Sequence, residues 1–192
     1  MNYQNVLCLG DSQTFGARSY GCYPLYLADI LEQKTPYIWR VINRSTNGHT
    51  ARDLWFRVNY EAEPIKDTYQ ACILIGTNDV AENKDIGIFE KYYKQIVVTL
   101  LVKGYRSIYC GQIPPIFADG HVFFKKGSAD RINDFNHCIE NIVSSFERVN
   151  FVELSGLDRS CYEDPVHFNE KGNQQVANCF ADAIVSLSLI HI

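Results

Sequence analysis

Tyr3-Gln4-Asn5-Val6-Leu7-Cys8-Leu9-Gly10-Asp11-Ser12 carries an apolar run that a glycine cuts off and two polar residues follow. A run this short, bounded by a turn residue, predicts a buried strand over Tyr3–Leu9 whose end presents Asp11 and Ser12. The same pattern recurs along the chain. Residues 38–42 predict a second strand, running into the polar stretch Asn43-Arg44-Ser45-Thr46-Asn47-Gly48. Residues 71–75 are continuously apolar, as expected of a strand covered on both faces, and lead into Gly76-Thr77-Asn78-Asp79. Residues 107–110 and 150–154 predict the fourth and fifth strands.

Helical patterns fill the intervals. Leu25, Ala28 and Leu31 recur at helical spacing within 23–33, with Pro24 suited to a helix start. A helix carrying Leu54, Trp55 and Val58 is expected to begin near Thr50, whose hydroxyl suits an N-cap. Residues 86–103 have a 3.6-residue period and stop at Gly104. Ser128 is expected to cap a helix reaching about Phe146, and a last helix covers 169–185. Strands alternating with helices in this way predict an α/β fold, with a parallel sheet between helix layers and right-handed crossovers. Ligands of such sheets bind beyond the carboxyl ends of the strands. Ser12, Gly48, Asn78 and the loop Asp164-Pro165-Val166-His167 are all expected at that edge.

The 192 residues suffice for one buried core and predict a single domain over 1–186. The final six, Leu187-Ser188-Leu189-Ile190-His191-Ile192, resemble a translated sequencing-library adapter; they are expected to be non-native and are set aside, His191 included. With 46% hydrophobic and 21% charged residues and a net charge of -4, the chain gives no electrostatic reason to bind nucleic acid. No apolar run approaches the roughly 20 residues of a membrane span. The absence of a basic n-region and apolar h-region predicts a cytoplasmic protein. Seven cysteines without C-x-x-C spacing support neither a zinc site nor a disulfide framework. Cys8, Cys72 and Cys110 fall in strand runs and Cys138 and Cys179 on helices, whereas Cys22 and Cys161 are expected to be the exposed ones.

Ser12, His167 and Asp164 are the residues that could do chemistry. A serine hydroxyl needs a neighbouring base, and histidine, with an ordinary pKa of about 6.5, can take its proton and return it. An acid on the other ring nitrogen fixes the tautomer and stabilises the imidazolium. The short loop 164–167 delivers both acid and base, stiffened by Pro165. The backbone N–H groups of Ser12 and Gly48 and the Asn78 amide are candidate donors to an oxyanion, each worth roughly 3–4 kcal/mol. Asp11 and Asp79 are expected to accept from loop amides and to transfer no protons. His49, beside Gly48, reads as a solvated loop histidine, with a place facing the substrate as the alternative, while His121 and His137 lack metal-ligand partners at useful spacing. The long loop 111–127, with Pro114, Pro115, Ile116, Phe117, Phe123 and Phe124, either folds back onto the core or walls a substrate pocket.

Gly10-Asp11-Ser12-Gln13, Asn47-Gly48, Gly76-Thr77-Asn78-Asp79 and Asp164-Pro165-Val166-His167 resemble, in order, the four blocks of the SGNH hydrolases, also called the GDSL esterase/lipase family. The resemblance runs to about Val185. It implies a flavodoxin-like three-layer α/β/α sandwich with a five-stranded parallel sheet, and neither metal nor organic cofactor. It makes Ser12 the nucleophile, His167 the base and Asp164 the orienting acid, with Ser12, Gly48 and Asn78 as the oxyanion hole. Gln13 departs from the family's usual leucine and is expected to change the nearby surface without altering the chemistry. The resemblance implies a serine esterase acting on small-molecule, glycan or lipid esters, or thioesters. An acyltransferase using the same site is the alternative. A non-catalytic carbohydrate- or protein-binding module is the other, and it would not need the full set of groups. No glycine loop suited to phosphate supports a nucleotide-binding fold, and the sequence carries no signal for an oligomeric state.

Overall fold

Val6 and Cys8 face one side of their strand, Leu7 and Leu9 the other, and all four are buried. A strand apolar on both sides needs cover on both faces. The computed structural model describes residues 3–62, 69–117, 122 and 124–188. Within them β1 (Tyr3–Gly10), β2 (Ile38–Ser45), β3 (Tyr69–Leu74), β4 (Ser107–Gly111) and β5 (Val149–Val152) form a parallel sheet in the order β2-β1-β3-β4-β5. The helices are α1 (Ser12–Phe15), α2 (Tyr23–Lys34), α3 (Ala51–Glu61), α4 (Thr77–Ala81), α5 (Ile86–Val102), α6 (Ile132–Val143) and α7 (Glu170–Ser188).

On one face Leu27 and Leu31 of α2 and Val176 and Phe180 of α7 join Cys8, Cys72 and Tyr109 of the sheet. Tyr23 and Phe180 stack there, with ring centroids 5.1 Å apart. On the other face Leu54 of α3, Phe89 and Ile96 of α5 and Phe135 of α6 cover Leu9, Ile73 and Ile108. The result is the flavodoxin-like α/β/α sandwich that the resemblance implied. From β1 the chain moves outward to β2, then crosses back to β3 on the other side of β1. The loops leaving β1 and β3 therefore diverge over a crevice at the carboxyl edge, the position where such sheets bind ligands.

Several elements differ from expectation. β2 continues to Ser45, because Asn43, Arg44 and Ser45 pair with Cys8, Leu9 and Gly10, and an edge strand tolerates polar side chains. Ser128 caps no helix: its own backbone is helical, its hydroxyl donates to the Lys125 carbonyl, and a 3₁₀ turn at Ala129–Arg131 precedes α6. The one-turn helices α1 and α4 are too short to show a period. Cys161, expected to be exposed, is fully buried in a 3₁₀ turn at Arg159–Cys161, with Sγ 3.6 Å from the Gly156 carbonyl; Cys22 is half-buried. α7 continues through Ser188, so the first two residues of the expected scar are helical, and residues 189–192 lie outside the described residues. His121 and Phe123 also lie outside them. Among the described residues no helix is long and apolar enough to cross a membrane.

Candidate active site

The turn after β1 depends on Gly10. A Cβ there would stand 2.1 Å from Thr14 Oγ1 and 2.4 Å from the Leu74 carbonyl, so only glycine lets β1, α1 and β3 meet this closely. Asp11 caps α1, its Oδ1 accepting from the Gln13 N–H at 3.0 Å. Ser12 is thereby fixed as the first helical residue, 9% exposed.

The loop after the 3₁₀ turn brings the other two groups. Asp164 Oδ1 accepts from the backbone N–H of Val166 (2.8 Å) and His167 (2.7 Å), folding the loop around its own carboxylate. Asp164 Oδ2 lies 2.8 Å from His167 Nδ1, and His167 Nε2 lies 3.1 Å from Ser12 Oγ. A carboxylate only accepts, so Nδ1 carries the ring proton and Nε2 accepts from the serine hydroxyl. Partial burial works against the Asp164 charge. The backbone N–H and ring of His167, with the Val166 N–H, outweigh it and hold the carboxyl below its usual range. Arg18 Nε stands 3.4 Å from Asp164 Oδ2, but its side chain is 66% exposed, and water screens much of that attraction.

Gly48 and Asn78 reach the same edge from the loops after β2 and β3. Gly48 has φ +76, and a Cβ there would meet nothing within 4 Å, so backbone conformation, not crowding, is what calls for glycine. Asn78 Nδ2 donates to the His49 carbonyl at 2.9 Å and lies 3.4 Å from Asp11 Oδ2, which ties the third block to the first and to the residue that follows the second. The backbone N–H groups of Ser12 and Gly48 donate to no protein acceptor among the described residues. A hydroxyl with a base and an acid behind it and donors beside it can form and stabilise a tetrahedral oxyanion.

Two further residues brace these loops. Arg57 on α3 donates from Nη2 to the Gly10 carbonyl (3.0 Å), from Nη1 to the Arg44 carbonyl (2.7 Å) and from Nε to His49 Nδ1 (3.1 Å). His49 is therefore anchored and only half-exposed; burial, then the Arg57 charge, lowers its pKa. Asp79 Oδ2 accepts from the Ala51 N–H at 2.9 Å. Burial pushes both Asp11 and Asp79 up to about 7 against their backbone hydrogen bonds. Arg57 was not legible in the sequence, because a helical arginine reads as a solvated one.

Gln13 overturns an expectation. It is 1% exposed, and its Nε2 donates to the Val166 carbonyl at 2.5 Å, so it lies beneath the surface it was expected to alter. In the apolar loop, Ile113, Ile116 and Phe124 are buried in the core, as one of the two readings had it. Phe117 is exposed; its N–H donates to the Pro165 carbonyl at 2.8 Å and its ring meets Tyr162 edge-on at 5.1 Å. His137 is exposed on α6. An open groove of about 780 Å³ borders the Asp164 loop, lined by Arg18, Tyr20, Glu163, Asn169, Lys171 and Gln174 among others.

Among solved structures, a carbohydrate acetylesterase from Sinorhizobium meliloti superposes with a TM-score of 0.78 at 16% identity, covering 96% of this chain and 99% of its own. An acetyl xylan esterase gives 0.75 at 20% identity, covering 94% and 99%. A GDSL-like lipase from Bacteroides thetaiotaomicron gives 0.76 at 18%, covering 96% and 89%. At these identities the likeness shows the fold. A search of curated proteins finds no match. The GDSL-like Lipase/Acylhydrolase family is matched over residues 8–175, a span that holds all four blocks. The chain belongs to that family and is a hydrolase of the SGNH type.

Proposed function

We propose that the protein hydrolyses carboxylic esters through a Ser12 acyl-enzyme, with His167 as base and Asp164 as its orienting acid. The observation that carries this reading is the unbroken hydrogen-bonded series from Ser12 Oγ through His167 to Asp164. His167 Nε2 takes the hydroxyl proton as Oγ attacks the ester carbonyl carbon. The resulting oxyanion is met by the N–H groups of Ser12 and Gly48. The Asn78 amide joins them with the hydrogen now held in its long 3.4 Å contact to Asp11. The imidazolium, paired with Asp164, gives its proton to the leaving alkoxide as the C–O bond breaks. A water, deprotonated by His167, then attacks the acyl-enzyme, and Ser12 recovers its proton as the carboxylic acid leaves.

For the alcohol portion we propose a hydroxyl-rich, sugar-like group carrying a short acyl chain. The groove beside Asp164 supports this: its lining is polar, and Tyr20 offers a wholly exposed ring against which a sugar face can rest. The acetylesterases of carbohydrate among the structural neighbours agree with it. Replacing Ser12 with alanine tests the core of the proposal. Among the described residues the Ser12 hydroxyl bonds only His167, so Ser12→Ala should fold normally and lose p-nitrophenyl acetate turnover by roughly 10⁴-fold or more. Near-wild-type turnover in that variant would remove the proposal.

A further inference from the structure

Gln13 follows the proposed nucleophile, and its amide is sealed from solvent at 1% exposure. Nε2 donates to the Val166 carbonyl at 2.5 Å, across 153 residues of sequence. Val166 lies between Asp164 and His167, and its own N–H donates to Asp164 Oδ1. The other end of the amide, Oε1, is buried with no hydrogen-bond partner among the described residues. A leucine of similar size, usual in the family, would avoid that unpaired oxygen. A buried amide kept at such a cost calls for an explanation in what its donor end holds.

The backbone geometry around it supplies one. The Gln13 N–H is fixed by Asp11 Oδ1, and the next residue, Thr14, holds the Leu74 carbonyl at 3.4 Å and accepts from Asn43 Nδ2 at 3.0 Å. The one-turn helix α1 is thus anchored to both neighbouring strands, β3 and β2. Apart from the exposed, water-screened pair between Arg18 and Asp164, three contacts among the described residues tie the 164–167 loop to this body: Gln13 Nε2, the contact between His167 and Ser12 that the reaction must break and remake, and the Phe117 N–H on Pro165. Phe117 borders residues outside the described set. Of the three, only the Gln13 bond joins the helix of Ser12 directly to the His167 loop without taking part in proton transfer.

We propose that Gln13 is a positioning residue: its buried N–H clamps the Val166 carbonyl and so holds the His167 ring at bonding distance from Ser12 throughout the cycle. The inference rests on the reading of Ser12 and His167 given above. The clamp acts on how often the base meets the hydroxyl and not on the groove, so its loss falls on kcat and leaves KM in place.

Three variants test it, each checked for a cooperative thermal transition. Gln13→Met and Gln13→Leu keep the volume and remove the donor. In both, kcat on p-nitrophenyl acetate should fall by roughly 10- to 100-fold with KM within about twofold, and the rate of Ser12 labelling by a fluorophosphonate should fall in step. Gln13→Glu restores a donor, because a carboxyl this deeply buried stays protonated and its O–H can meet the Val166 carbonyl; kcat should return to within about threefold of wild type. Wild-type kcat in folded Gln13→Met or Gln13→Leu would overturn the clamp, as would a loss confined to KM or loss of folding in all three variants. Turnover that survives Ser12→Ala would instead overturn the nucleophile reading, and the clamp with it. Turnover abolished in Ser12→Ala but untouched in Gln13→Met overturns the clamp alone.

Discussion

Asp79 and Asp11 are acids that the fold keeps from water directly beneath the site. Folding moves Asp79 from 3.8 up to about 7, chiefly by burial, so between those values the folded chain holds a proton that the unfolded chain has released. That contribution is present at low pH and lost as pH rises through about 7. Asp79→Asn keeps an acceptor for the Ala51 N–H and cannot ionise. Relative to wild type, the variant should gain stability between pH 5 and 7 at up to about 1.4 kcal/mol per pH unit and level off above it. Urea unfolding at a series of pH values checks this, and a difference that stays flat would contradict it. Both acids were legible as acceptors for loop amides, because an aspartate after a strand-ending glycine meets exposed N–H groups. Gln13 was not legible: its burial comes from the Val166 carbonyl 153 residues away, which no local pattern can register.

At the scale of elements, the helix starts were read best where the chemistry is local. Thr50 and Asp53 form a reciprocal cap on α3, the threonine hydroxyl accepting from the Asp53 N–H at 3.4 Å and Asp53 Oδ2 from the Thr50 N–H at 2.9 Å. This cap also sets the entry to α3 directly after Gly48 and His49. Thr50→Ala should therefore cost about 1 kcal/mol in chemical denaturation; an unchanged midpoint and slope would show the cap to be idle. Elements shorter than one hydrophobic period escaped the reading. α1 and α4 place Ser12 and Asn78, yet four and five residues cannot display a 3.6-residue repeat. β2 ran further than its apolar residues because pairing with β1, and not burial, extends it. Cys161 went inside because its 3₁₀ turn docks under α7, a contact made by the far end of the chain.

Across the whole molecule, strand order does the assembling. The crossing from β2 to β3 around β1 brings Ser12, Gly48 and Asn78 to one edge, and the loop after β5 returns Asp164 and His167 to it. The sequence placed each piece at a strand end and the resemblance implied a five-stranded parallel sheet, but the strand order that makes the pieces neighbours appears only in the structure. The groove along that edge was not legible, since its lining is drawn from the segments 18–20, 163 and 169–174. If it holds the proposed sugar, Tyr20→Ala should raise KM for an acetylated xylo-oligosaccharide roughly tenfold, a loss of about 1.4 kcal/mol. Turnover of p-nitrophenyl acetate should be unchanged. Equal KM values for the oligosaccharide would place the alcohol elsewhere.

The central claim is that His167 makes the hydroxyl of Ser12 a nucleophile. Incubation with a fluorophosphonate, followed by intact-mass measurement and peptide mapping, tests it most directly. A single phosphonyl adduct on Ser12, slowed by orders of magnitude in His167→Ala, is the predicted result. An unmodified protein, an adduct on another residue, or labelling of Ser12 that His167→Ala leaves untouched would contradict it.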